Sequence, residues 1–157
     1  MSDNILSHLP ALRAYSRSLC RSLPDAEDLV QETLLRAIDH AARYQPGTNL
    51  RAWLLTIMRN RFYTMCHKAA RERTAPGDCA STLPQVAPSQ EWRIQARETG
   101  VALRELPRHY REAIILVGAL GVSYIDAARI LECDIGTIKS RVNRARTMLR
   151  AVLEPEM

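Results

Sequence analysis

"DIGTIKSRVNRARTMLR", residues Asp134 to Arg150, decides how the rest of the chain is read. It carries five basic residues and, after Asp134, no acid. An advance of about 100° per residue places Ile138, Val142, Ala145, Leu149 and Val152 in one arc, a core stripe. Lys139, Ser140, Asn143, Arg144, Arg146, Thr147 and Arg150 take the remaining surface, with Arg141 and Met148 on its flank. Asp134 falls at or beside the N-cap. A basic amphipathic helix of this kind is either a solvated charged face or a grip on a polyanion.

What precedes it favours the grip. Ser123, with Asp126 three residues on, forms an S-x-x-D capping box for a short helix from Tyr124 to Leu131. "ECD" then turns the chain. A short helix, a three-residue turn and a longer basic helix make a helix-turn-helix, whose second helix enters the major groove of DNA. Near the tip of that helix, Lys139, Ser140, Asn143 and Arg144 offer donors that suit purine edges. Arg141, Arg146 and Arg150 suit phosphates instead. Gly136 leaves no side chain at the tip, so the backbone can approach a duplex closely.

Working outward, "PRHYREAIILVGALG" reads as another helix, with Pro107 in its first turn and Gly121 closing it. Residues 90–106 are amphipathic. Before them, "TAPGDCASTLPQVAPS" (residues 74–89) has three prolines and little charge, the composition of a flexible linker. With 157 residues, 46% of them hydrophobic, the chain suits two small domains, residues 1–73 and 90–157, joined by that linker. No strand-like alternation bounded by turns is found, so the fold class is all-α.

The first domain reads as three helices. One runs from about Ser7 and Pro10 to Arg21, a second from Pro24 to Tyr44, and a third from Thr48 or Asn49 to Arg73, with "QPGT" breaking the chain between the last two. On the second, Leu29, Val30, Leu34, Ala37, Ile38 and Ala41 supply a core face, while Asp25, Asp28, Gln31, Glu32 and Leu35 stay outside. Acids favour a helix N-terminus, which accounts for Asp25, Glu27 and Asp28 better than for Glu32. An acidic face beside DNA-binding helices would repel a duplex, so its natural partner is a protein with a basic surface. On the third helix, Leu50, Leu54, Ile57, Met58 and Met65 lie on one side. Thr56, Arg59, Asn60, Tyr63 and His67 lie on the other, a mixture that suits single-stranded bases and backbone. Trp53 beside it reads as core in preference to a base-stacking platform. Tyr63 reads equally as core or as a stacking platform, and His67 fits an exposed polar position as well.

Charge is sorted along the chain. Residues 24–32 carry four acids and no base, residues 49–73 six bases and one acid, and residues 137–150 five bases and no acid. The net charge of +5 makes an anionic partner natural, and the sorting indicates at least two different surfaces. Cys20, Cys66, Cys79 and Cys133 form no C-x-x-C pair and read as reduced cytosolic thiols. No signal pattern or membrane-spanning run is found, so a cytoplasmic protein is expected. There is no P-loop, no G-x-G-x-x-G and no H-E-x-x-H, and His8, His40, His67 and His109 are scattered. Neither enzyme chemistry nor a cofactor nor a metal is expected.

Three blocks carry a family likeness. "DAEDLVQETLLRA" (Asp25 to Ala37), "NLRAWLLTIMRNRFY" (Asn49 to Tyr63) and "GVSYIDAARILECDIGTIKSRVNRARTML" (Gly121 to Leu149) resemble, in order and spacing, the bacterial extracytoplasmic-function (ECF) sigma factors. The resemblance covers about residues 8–153. It implies two helical domains, sigma region 2 and sigma region 4, that direct core RNA polymerase to promoters. Asp28, Gln31 and Glu32 match positions that dock on the clamp helices of the polymerase's largest subunit. The third helix, with Arg59, Asn60, Tyr63 and His67 and the preceding "YQPGTN" loop, looks like the reader of the minus-ten element. There Asn60 matches a contact to the unpaired non-template strand. In the basic helix Lys139, Ser140, Asn143 and Arg144 match base-side contacts to the minus-thirty-five element, and Arg141 and Arg146 backbone-side ones.

One departure stands out. The family often has a glycine and a proline in the helix-turn-helix turn, where this chain has Glu132 and Asp134. Asp134 still suits a helix start, but Glu132 adds repulsion near phosphate and implies modest affinity for the upstream element. "TIMRNRFYTMCHKAARE" looks closest to the subgroup that runs the general stress response in alphaproteobacteria. That implies a small soluble anti-sigma partner, displaced by a sigma-mimicking response regulator. Two rival readings are a sigma mimic that sequesters an anti-sigma factor and a stand-alone helix-turn-helix regulator. The first does not need Lys139 or Arg144; the second leaves the acidic block unexplained.

Overall fold

The computed structural model describes residues 2–20, 22–72 and 100–154. Every regular element among them is helical. In chain order they are α1 (Ser2–Ser7), α2 (Leu9–Leu19), α3 (Leu23–Asp39), a 3-10 turn (Ala41–Arg43), α4 (Leu50–Glu72), α5 (described over residues 100–105), α6 (Arg108–Ile114), a π-helical turn (Ile115–Ala119), α7 (Tyr124–Leu131) and α8 (Ile135–Leu153). The chain divides into two compact units, Met1–Ser81 and Thr82–Met157, a break that falls inside the expected linker. The linker itself lies outside the described residues.

In the first unit α3 packs against α4 and α2. Local chemistry sets the helix starts. Ser22 Oγ accepts from the Asp25 amide at 3.2 Å, which starts α3 ahead of Pro24. Asn49 Oδ1 accepts from the Ala52 amide at 3.2 Å and starts α4. The stretch before Pro10 is helical too, as α1, with His8 separating it from α2. Leu12, Tyr15, Leu29, Leu54, Leu55 and Met58 are fully buried. Each buried leucine contributes about 1.5–3 kcal/mol relative to exposure.

Three expectations change here. Ile38, expected in the core, is 62% exposed. The inward stripe of α3 is Ala26, Leu29, Val30, Thr33 and Ala37, and Ile38 lies about 120° from its centre. Thr33 can join the stripe because its hydroxyl donates to the Leu29 carbonyl at 2.8 Å, which satisfies it within the helix. Trp53 is only half-buried and packs on Tyr44, ring centroids 5.1 Å apart, while Leu55 and Phe62 fill the core instead. Cys20 and Cys133 are free, but Cys66 is disulfide-bonded, against the expectation of reduced thiols throughout.

In the second unit α6 and α7 both pack on α8. Ile138, Val142 and Ala145 are fully buried, Leu149 is half-buried, and Val152 is 47% exposed. Periodicity keeps Val152 on the stripe, but burial stops before the last turn of α8. The expected single helix ending at Gly121 is α-helical only to Ile114. It then widens, with the Leu120 amide donating to the Ile115 carbonyl at 2.9 Å, before Gly121 takes φ 68°.

The turn between α7 and α8 is the strained point. Ser123 Oγ accepts from the Asp126 amide at 3.1 Å and starts α7. At the other end Glu132 adopts φ 55°, ψ 52°. Its amide donates to the Arg129 carbonyl at 3.3 Å, and the Cys133 amide to the Ala128 carbonyl at 3.0 Å. That is the left-handed helix end that glycine normally occupies. Asp134 is the N-cap of α8 as expected, although its side chain makes no capping hydrogen bond.

Two tests follow from these packing details. Glu132→Gly should stabilise the second unit by about 1 kcal/mol by relieving the left-handed backbone. Its melting should rise by about 4–8 °C by calorimetry; an unchanged or lower melting point would refute the strain. Cys20 provides the second. Burial, then the charges of Asp25 and Asp28, push its thiol from 9.0 up to about 12. The native state therefore keeps a proton that the unfolded chain releases. The stabilisation is complete below about pH 9 and is lost as pH rises toward about 12. Urea denaturation of the natural chain and of Cys20→Ala, from about pH 8 to about pH 11, should show the natural chain losing stability faster. A constant difference across that range would remove Cys20 from the account.

Candidate nucleic-acid and protein interfaces

The outer face of α8 is a band of donors. Lys139, Ser140, Asn143, Arg144, Arg146, Thr147 and Arg150 are all exposed, opposite the Ile138–Val142–Ala145 stripe. Two of the basic side chains have internal partners. Lys139 Nζ lies 5.8 Å from the centroid of the Tyr124 ring, at the start of α7. Arg141 is half-buried and its Nη1 donates to Cys133 Sγ at 3.9 Å, which ties the helix to its turn. Neither contact was legible as spacing, because each partner lies in a preceding element. Gly136 is exposed, and a Cβ there would meet nothing within 4 Å. The tip of α8 is open to close approach.

On α4, Asn60 and His67 are exposed, while Thr56, Arg59 and Tyr63 are half-buried on the same side. The Arg59 guanidinium lies 4.6 Å from the Tyr63 ring centroid. Tyr63 is therefore an aromatic surface with a cation on it rather than a core residue. Upstream, the "YQPGTN" loop is internally braced. The Tyr44 hydroxyl donates to the Thr48 carbonyl at 2.7 Å, the Thr48 hydroxyl donates to the Gln45 carbonyl at 2.7 Å, and Gly47 supplies φ 94°. Together with the Tyr44–Trp53 ring pair, this fixes the loop to the first turns of α4. A core position for Trp53 leaves no ring partner in the loop, and the structure supplies one in Tyr44.

α3 presents a different surface. Asp28 and Gln31 are exposed, and Leu35 and Ile38 are 61% and 62% exposed. These four lie within an arc of about 80° opposite the core stripe. The outer face of α3 is thus acidic and polar at one end and apolar at the other. Glu32 is on its flank and is not free: Arg61 Nη2 donates to Glu32 Oε1 at 3.0 Å. In the sequence Arg61 is one base of the basic segment 49–73, and nothing in its spacing points to Glu32. Among the described residues no cluster of His, Cys, Asp and Glu could hold a metal ion. No described helix is long and apolar enough to cross a membrane.

Comparison with known proteins identifies the family. The Sigma-70 region 2 family model matches residues 5–72, and the Sigma-70 region 4 model matches residues 97–149. The chain is 51% identical over 154 residues to the ECF RNA polymerase sigma factor EcfG of Rhodopseudomonas palustris, covering 98% of this chain and 84% of that protein. It is 38% identical over 132 residues to the ECF sigma factor SigC of Mycobacterium tuberculosis, covering 83% and 71%. The fold matches the sigma factor RpoE, solved in complex with the anti-sigma factor NepR from Bartonella quintana. That match has a TM-score of 0.87 and 43% identity, over 99% of this chain and 98% of that one. Two region models in the family's order, and relatives matched over most of their length, show that this chain belongs to the ECF sigma factors of RNA polymerase.

Proposed function

We propose that the chain docks on core RNA polymerase through α3, grips duplex DNA with α8, and captures unpaired bases with α4 and its loop. What carries the reading is the separation of faces. Within one unit, α3 offers Asp28, Gln31, Leu35 and Ile38, while α4 offers Arg59, Asn60, Tyr63 and His67. A surface of acids and exposed leucine-type side chains suits a partner protein with basic and apolar groups, such as the clamp helices of the largest polymerase subunit. Asp28, Gln31 and Glu32 are assigned to that contact, extended by Leu35 and Ile38. The amide, cation and aromatic of α4 suit a single strand.

Division of labour follows. Residues 1–73 serve as region 2, residues 74–89 as the connector and residues 90–157 as region 4. Asn60 and Tyr63, with Arg59 and His67, hold the minus-ten non-template strand. Extruding a base costs a few kcal/mol, and binding the unpaired form offsets it. On α8, Lys139, Ser140, Asn143 and Arg144 read the minus-thirty-five element, while Arg141 and Arg146 hold its backbone. Carrying both grips on one chain raises the effective concentration of the second once the first is bound. The protein does no chemistry of its own and works in the cytoplasm in a stress response. A soluble anti-sigma factor of the NepR kind holds it in check, as the RpoE–NepR complex suggests.

Run-off transcription with core polymerase tests the proposal. Promoter-specific initiation is expected from stress promoters of the host. A folded protein that supports none, with no anti-sigma present, would end it. Arg144→Ala should cost about 1–3 kcal/mol in promoter discrimination, measured as binding to matched and mismatched minus-thirty-five sequences. An equal loss on every sequence would make Arg144 a phosphate contact.

A further inference from the structure

We infer that Arg61 is a positioning residue for polymerase docking, holding Glu32 in the orientation in which it meets its partner. The inference rests on the reading of Glu32 as a docking residue. The two residues lie on different helices, α4 and α3, and meet at 3.0 Å. Arg61 is on the flank of α4 that faces α3, at least about 100° around the helix from Asn60 and Tyr63. It does not belong to the row proposed for DNA.

Stability alone does not explain the pair. The Arg61 side chain is only 24% exposed, and its Nε is buried with no hydrogen-bond partner among the described residues. A buried donor left unmet is a cost. Partly exposed ion pairs contribute little to stability; because Glu32 keeps contact with water, an apolar side chain of similar length in place of Arg61 removes the unmet donor without leaving a buried charge unpaired. What an apolar residue cannot do is hold a carboxylate. Glu32 remains 39% exposed, and only its Oε1 is engaged by Arg61. Oε2 is left for a second donor, from a basic partner. A glutamate on a helix surface otherwise samples several rotamers, and binding must then immobilise it. Arg61 does that in advance, and it links the docking helix to the helix that carries the minus-ten face.

The test uses the full chain and core RNA polymerase. Dissociation constants are measured for the natural protein, Glu32→Gln, Arg61→Met, Arg61→Lys and the double variant Glu32→Gln/Arg61→Met, with a melting curve for each. Glu32→Gln and Arg61→Met should each weaken binding by about threefold to tenfold, and the double variant should be no weaker than the worse single. Arg61→Lys should recover most of the loss, and Arg61→Met should melt no lower than the natural chain. A purely structural arginine would give the opposite pattern: a lower melting point with unchanged affinity. If Glu32→Gln weakens binding but Arg61→Met does not, or if the two losses add, Arg61 does not position Glu32. If Glu32→Gln binds like the natural protein, the docking role of Glu32 itself fails, and this inference with it.

Discussion

A helix packed in a small unit can bury one stripe, and the opposite face is then given up to solvent or to a partner. Everything functional in this chain hangs on that constraint. In the first unit α2, α3 and α4 close around Leu12, Tyr15, Leu29, Leu54 and Met58. In the second, α6 and α7 close on Ile138 and Val142 of α8. Once those stripes are buried, the outward direction of Asp28, Asn60 and Arg144 is no longer adjustable. Side chains on helices are held more exactly than side chains on loops, which suits surfaces that must meet a partner in register.

Much of this was legible because helical periodicity is legible. The α8 stripe and its donor band are legible through Ala145, the capped start of α7 lies at Ser123 where capping chemistry puts it, and α4 begins beside Asn49 as expected. Most of the failures share one physical origin. Periodicity gives a residue's angle on its helix but not where neighbouring helices begin and end. Val152 keeps the right angle and is exposed, because burial on α8 ends before it. Ile38 was placed on the wrong side because the stripe of α3 is centred on Ala26, Thr33 and Ala37, small residues and a threonine that a hydrophobicity pattern underweights. Contacts between elements were invisible for the same reason. The Tyr44–Trp53 pair and the Glu32–Arg61 bridge depend on chain geometry that no spacing encodes, whereas Arg59 and Tyr63, four residues apart on α4, are neighbours by helical spacing.

Charge adds a second layer. The negative charges of Asp25 and Asp28 at the start of α3 add to burial in raising the Cys20 thiol. The same charges disfavour a phosphate backbone along α3 and favour a basic protein surface. α4 and α8 carry the opposite sign outward. On the proposed reading, long-range attraction steers the chain before any side chain makes contact, with one sign for the polymerase and the other for DNA. Such steering affects encounter rate and orientation more than final affinity.

The turn of the helix-turn-helix concentrates the opposite tendency. Glu132 stands in a left-handed conformation that glycine would adopt without strain, and it places a negative charge beside the helix proposed to enter the groove. Backbone strain lowers the stability of the reading head, and the charge lowers its attraction to phosphate. On the proposed reading, the charge acts toward a weak grip by the second unit alone. A weak grip is tolerable only if another interaction brings the helix to DNA. On the proposed reading, α3 supplies it: once the first unit is docked, the second binds as part of the same chain, and concentration replaces intrinsic affinity. An isolated regulator would gain nothing from an acid at that turn. A polymerase subunit gains discrimination, because a reading head that is weak alone does not occupy promoters without the enzyme.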